Sequence, residues 1–191
     1  MRTLSLVLGL LDHRLVAQNS IMVLVVQERL GLDAAGYGLL VSIYGAGGLL
    51  GSVVAHRVIS RFDAGMLLHT ALAIATTYPV VLAVTHNPVV AGVDFAVFGV
   101  HAVVWGALIS SLRQELTPPR LRGRVESGYR FIDDGAAAPG ALVGGTLAAQ
   151  LGLTAPFWLG GLTGLLLLVG TWPTFSAARL ASARREAAAS E

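Results

Sequence analysis

Long apolar stretches follow one another along the whole chain, separated by short polar or turn-forming clusters. A bilayer crossing needs about 20 largely apolar residues at 1.5 Å rise each. Six stretches meet that requirement, at roughly 3–28, 36–56, 64–84, 88–112, 129–150 and 155–176. The second, from Gly36 to Ala55, and the sixth, from Phe157 to Thr171, contain no charge. The breaks carry turn chemistry: Gly31-Leu32-Asp33, His86-Asn87-Pro88, Thr117-Pro118-Pro119 and Gly152-Leu153-Thr154. The pattern therefore predicts an all-α membrane domain over 1–176 and a solvated Ala/Arg/Glu-rich tail over 177–191. The apolar run from Leu4 to Leu11 meets Asp12-His13-Arg14 without a small-residue cleavage site, so it reads as the start of a retained helix.

Composition agrees with burial in lipid. Only 13% of the residues are charged, against 54% in the hydrophobic set, whereas a soluble domain carries about 25% charged residues. The absence of cysteine excludes disulfides, a thiolate nucleophile and cysteine metal sites. The basic balance comes from 13 arginines and no lysine. They sit between apolar runs and form no aromatic-interleaved face, which argues against nucleic acid as a partner. Their distribution sets an orientation. Arg2, Arg57, Arg61, Arg113, Arg120, Arg122, Arg124, Arg130, Arg179, Arg184 and Arg185 fall at one set of span ends. The opposite ends hold Arg29 alone, and Arg14 lies within the first span. Positive loops stay cytoplasmic, so both termini are expected in the cytoplasm of a cell with the chain in its plasma or inner membrane. An even span count is required for that.

Small residues recur at four-residue spacing inside the spans: Gly47 and Gly51; Ala136, Gly140, Gly144 and Ala148; Gly160 and Gly164. In lipid, helices associate through close backbone approach at such residues. The stripes predict a tightly packed bundle.

Two stretches resemble the major facilitator superfamily, in its bacterial multidrug and siderophore exporter branch. One is Gly47-Gly48-Leu49-Leu50-Gly51-Ser52, running on to Arg57 and Arg61, where that family places a Gly-rich, Arg-bearing signature loop. The other is Leu112-Arg113-Gln114-Glu115-Leu116-Thr117-Pro118-Pro119-Arg120-Leu121-Arg122-Gly123-Arg124-Val125, continuing through Tyr129-Arg130-Phe131 to Gly144-Gly145 and Gly152-Leu153-Thr154-Ala155-Pro156-Phe157-Trp158. The resemblance covers nearly the whole chain and corresponds to the carboxy-terminal six helices of a twelve-helix family. It implies two inverted three-helix repeats and a partner, either an amino-terminal six-helix half or a second copy of the chain. It also implies signature-loop or gating roles for Gly51, Arg57, Arg61, Arg113, Arg122, Gly123, Arg124, Arg130 and Asp134. Two departures stand out. Val54-Ala55-His56-Arg57 lacks the acidic residue that usually precedes the loop arginines, and Asp133-Asp134 occupies a usually uncharged place.

Ionisable residues inside a span cost about 2.5 to 3.5 kcal/mol each on insertion scales and mark candidate pathways. In the fourth span Asp94, Phe98, His101 and Trp105 lie at i, i+4, i+7 and i+11, one helical face. Asp94 and His101 stand about 10 Å apart along the axis, so they do not bond directly; both can line one cavity, and the resemblance puts this helix and the first span beside the substrate pathway. The competing reading is a packing face with Asp94 at the outer interface. In the first span Asp12 and Asn19 share a face and add a second polar cluster, unless the span begins later and the cluster is interfacial. Arg130 with Asp133 and Asp134, at i+3 and i+4, forms a candidate ion-pair group.

An enzyme is not expected: the chain lacks H-E-x-x-H and G-x-S-x-G, and Leu50 spoils the dinucleotide fingerprint in Gly45–Gly51. No metal and no cofactor is expected. The reading that results is half of a secondary transporter exporting small molecules by proton-coupled alternating access, embedded in the lipid bilayer. The alternative is a non-transporting six-helix scaffold or a degenerate transporter fragment, which the DNA upstream of Met1 would distinguish.

Overall fold

The computed structural model describes residues 17–116 and 119–171, and these are helical throughout apart from short connections, with no strand among them. Helical residues 17–19 lead through a turn at Ser20 and Ile21 into α1 (Met22–Leu30). Then follow α2 (Ala34–Arg61), α3 (Ala64–Val84) and α4 (Pro88–Leu116), a 3₁₀ turn (Pro119–Leu121), α5 (Arg122–Leu151) and α6 (Ala155–Thr171).

The turn residues between the apolar stretches act as caps. Gly31 ends α1 in the left-handed region at φ 65°, donating its N–H to the carbonyl of Val26. The Asp33 carboxylate accepts from Gly36 N–H at 2.9 Å and opens α2. Asp63 accepts from the N–H groups of Gly65 (2.8 Å) and Met66 (3.3 Å) at the start of α3. Asn87 accepts from Val89 N–H at 2.8 Å beside Pro88, the first residue of α4. Within the helices, threonine hydroxyls return to carbonyls one turn back, as in Thr70 to Met66 and Thr163 to Leu159. In hydrocarbon no water is present to satisfy those groups.

Among the described residues, α2, α3 and α4 (to Leu112) are each long and apolar enough to cross a membrane. The stretch Ala138–Leu151 and α6 pass that test together, but their axes turn by 118° at the break. With the apolar composition, this makes the chain an all-α, multi-pass membrane protein. Two boundaries differ from the sequence pattern. The first span was expected unbroken over 3–28, and the helix is interrupted at Ser20–Ile21. The fifth was expected from 129, and α5 begins at Arg122, because the polar segment after the 3₁₀ turn already winds into the same helix.

The packing is built on α2 against α4 and α3 against α6. A Cβ on Gly47 would strike the Ala96 carbonyl, and one on Gly99 the carbonyl of Tyr44. A Cβ on Gly51 would lie 2.9 Å from the Val100 carbonyl oxygen. The α2 and α4 backbones thus meet through glycine from both sides. Of the expected stripe in α5, Gly140 and Gly144 are buried, and a Cβ on Gly144 would meet the Ala17 carbonyl. Two apolar clusters flank this seam. One gathers Met22, Val25, Val26, Tyr78, Phe95, Phe98 and Phe157; the other gathers Leu67, Leu68, Leu72, Leu108, Ile109 and Leu112.

Candidate functional site

Three of the four residues that share a face of α4 form one column of rings. Phe98 and His101 stack with centroids 5.3 Å apart, and His101 and Trp105 with centroids 6.1 Å apart. The spacing follows from one helical turn, since i and i+3 or i+4 side chains lie one above another. Neighbouring helices extend the column. Tyr78 of α3 stacks on Phe98 at 3.9 Å and meets Phe95 edge-on at 6.0 Å. Tyr44 of α2 lies 6.2 Å from Phe98. Phe98 and His101 are buried; in this conformation Phe98 is covered by tyrosines and gives no open surface to a ligand.

Asp94 stands one turn before Phe98 and is half-buried. Its Oδ2 is enclosed and has no hydrogen-bond partner among the described residues. A buried carboxylate oxygen without a partner is costly in an apolar surround, and such groups mark function more often than packing.

A second polar feature sits at the interruption of the first helix. Gln18 is completely buried, and its Nε2 donates to the Pro156 carbonyl at 3.3 Å. The amide presses on Gly160 so closely that a Cβ there would collide with Nε2. Gln18 Oε1 has no partner among the described residues. Ser20 returns its hydroxyl to the Ala17 carbonyl at 2.8 Å, occupying a carbonyl released at the turn. The break is therefore held between Gly144 of α5 and Gly160 of α6.

The remaining expected residues lie elsewhere. Asn19 is exposed and outside the ring column. Asp12 lies outside the described residues. Gly51 is consumed by the α2–α4 seam, and Arg57 and Arg61 are exposed at the end of α2. Gly123 and Arg124 are exposed in the first turn of α5. For Arg113, Arg122, Arg130, Asp133 and Asp134 the helical backbone alone is described. Among the described residues no three His, Cys, Asp or Glu side chains gather in a way that could hold a metal ion.

Tyr44, Tyr78 and Gln18 were not picked out as site residues from sequence. The tyrosines carry no signal within their own helices, because their partners lie across the bundle. Gln18 falls in the polar group of the first span, on a face with Arg14, and nothing in that pattern pointed to its contact with Gly160 of α6.

Residues 8–190 match the model of a protein family described as transmembrane secretion effector. No curated protein matches the chain.

Proposed function

The chain belongs to the transmembrane secretion effector family, of the major facilitator type, and on that premise we propose that it is one half of a proton-coupled exporter of small molecules. Membership makes it a membrane transport protein; the half-transporter arrangement, the coupling ion and the direction are our reading. In it, six spans form two inverted three-helix repeats, and the termini and the 113–130 loop face the cytoplasm. A second six-helix half closes the pathway.

The enclosed Oδ2 of Asp94, one turn before an aromatic column and without a hydrogen-bond partner among the described residues, carries this reading. A carrier driven by protons needs a group whose charge differs between its two conformations, because only differential stabilisation shifts such an equilibrium. Asp94 can exchange a proton when the pathway opens to either side. His101, buried in the column, supplies the neighbouring polar group, and Trp105 supplies aromatic surface suited to a planar cation.

The test uses vesicles holding the assembled transporter, an imposed pH gradient and ethidium as the probe. Accumulation against its gradient that collapses with a protonophore is the expected result. Accumulation no greater than in protein-free vesicles contradicts the proposal.

A further inference from the structure

A cavity of about 290 Å³ lies between α2, α3 and α4, away from Asp94 and from the Gln18 latch. Val54 and Val58 form its α2 wall, Thr70 and Ala71 its α3 wall, and His101 and Trp105 its α4 wall. Its lining is apolar almost throughout. Thr70 and the lining residue Val97 are exposed, so the cavity opens sideways toward the surroundings of the bundle.

Depth decides what those surroundings are. His101 is near the middle of α4, and Trp105 is about 6 Å further toward its carboxy-terminal end. The 28 residues of α2 span about 42 Å. That exceeds the roughly 30 Å hydrocarbon core, so the last turn of α2 stands among the headgroups. On that placement the cavity lies between mid-bilayer and one membrane surface, beside the exposed Thr70 and Val97.

The α2 wall continues directly into charge. Val54, Arg57, Val58 and Arg61 fall at i, i+3, i+4 and i+7, one stripe of the helix. Both arginines are exposed. An apolar slot with two exposed arginines beside and one turn beyond its lining residue Val58 is complementary to an amphiphile with an anionic head. Guanidinium binds phosphate oxygens in a two-pronged geometry that a zwitterionic head satisfies less well.

We propose that this cavity is a binding site for an anionic phospholipid of the bilayer, with its phosphate at Arg57 and Arg61 and one acyl chain reaching Trp105. The site rests on α2, α3 and α4 crossing the membrane; it shares His101 and Trp105 with the ring column but requires neither proton coupling nor export. Its occupant touches the lower end of the ring column, so lipid composition would bear on the same helix that carries Asp94.

The test reads Trp105 by fluorescence. The full chain carrying W158F and W172F retains Trp105 as its one tryptophan, and a W105F/W172F chain retains Trp158, exposed on α6, as a lipid-facing control. Both go into vesicles of phosphatidylcholine containing a minor fraction of either phosphatidylglycerol or phosphatidylcholine brominated on its acyl chains. Trp105 is expected to be quenched more by the anionic brominated lipid, with an enrichment on the order of tenfold from two surface arginines. Trp158 should respond to the two lipids alike. R57Q/R61Q should remove the preference at Trp105, and T70F, at the exposed mouth, should remove the quenching itself. A71L serves the same purpose from deeper in the cavity, and each substitution is repeated in the W105F/W172F chain, where a monodisperse size-exclusion profile and an unchanged Trp158 response show that it is folded. Equal quenching of Trp105 by both headgroups overturns the proposal, as does quenching by aqueous iodide or insensitivity to both plugs. Loss of ethidium transport with this lipid preference intact would overturn the exporter reading alone.

Discussion

The ring of Phe98 in α4 stacks on the ring of Tyr78 in α3, with centroids 3.9 Å apart and planes 13° from parallel. That pair joins the column on α4 to the opposite helix, while Tyr44 closes it from α2. Phe98 is consequently a packing residue as well as a neighbour of Asp94. Truncation to Ala should cost about 3 to 5 kcal/mol, the range for removing a buried phenylalanine. Phe98→Leu, which keeps most of the volume, should cost clearly less. Thermal unfolding in detergent checks the order, and equal midpoints for F98A and the parent would mean the column is not packed.

Glycines on one helix should behave oppositely according to what faces them. A Cβ on Gly47 runs into the Ala96 carbonyl, whereas a Cβ on Gly45 meets nothing within 4 Å. Gly47→Ala should therefore lower folded yield, and Gly45→Ala should leave it unchanged or raise it through better helix propensity. The same contrast holds in α5, where Gly144 faces the Ala17 carbonyl and Gly145 faces open space. Gly144→Leu should lose most monodisperse protein on size exclusion. Gly145→Leu and the lipid-facing Leu166→Ala should not.

The latch between the first helix and α6 predicts a non-additive pair. Gly160→Ala drives a methyl into the Gln18 amide. In a Gln18→Ala background that obstacle is gone, so the second substitution should cost much less there. A coupling of about 0.5 to 3 kcal/mol is expected for residues in direct contact. Strictly additive losses in unfolding free energy would mean the two side chains do not meet.

Most of the helix layout is legible in the chain because membrane helices announce themselves by length and apolarity. Asp33, Asp63 and Asn87 stand where the apolar runs begin, and each caps the helix that follows. The interruption at Ser20–Ile21 was not legible. Ala17-Gln18-Asn19-Ser20 contains neither Pro nor Gly, and the break is held by contacts from Gly144 and Gly160, more than 120 residues away. The face shared by Asp94, Phe98, His101 and Trp105 follows from helical period alone. That Phe98 would be covered by Tyr44 and Tyr78 depends on which helices pack against α4, and a single segment's periodicity carries no such information.

Topology offers a prediction independent of packing. The chain has no cysteine, so single cysteines introduced at Ser182 and at Asn87 can be labelled from outside intact cells. Asn87 is expected to react and Ser182 to be protected, because the arginines cluster at the ends on the side of Ser182. Labelling of Ser182 with protection of Asn87 would invert the orientation.

In the proposed mechanism Asp94 carries the proton, and Asp94→Asn changes its charge with almost no change in shape. In vesicles holding the assembled transporter, ethidium movement is measured twice: uphill under an imposed pH gradient, and as exchange at equal concentrations without one. Loss of uphill accumulation with exchange largely intact is the predicted result, because substrate binding and conformational cycling survive while the proton has no carrier. Full uphill accumulation by Asp94→Asn would contradict it and remove Asp94 from the coupling mechanism.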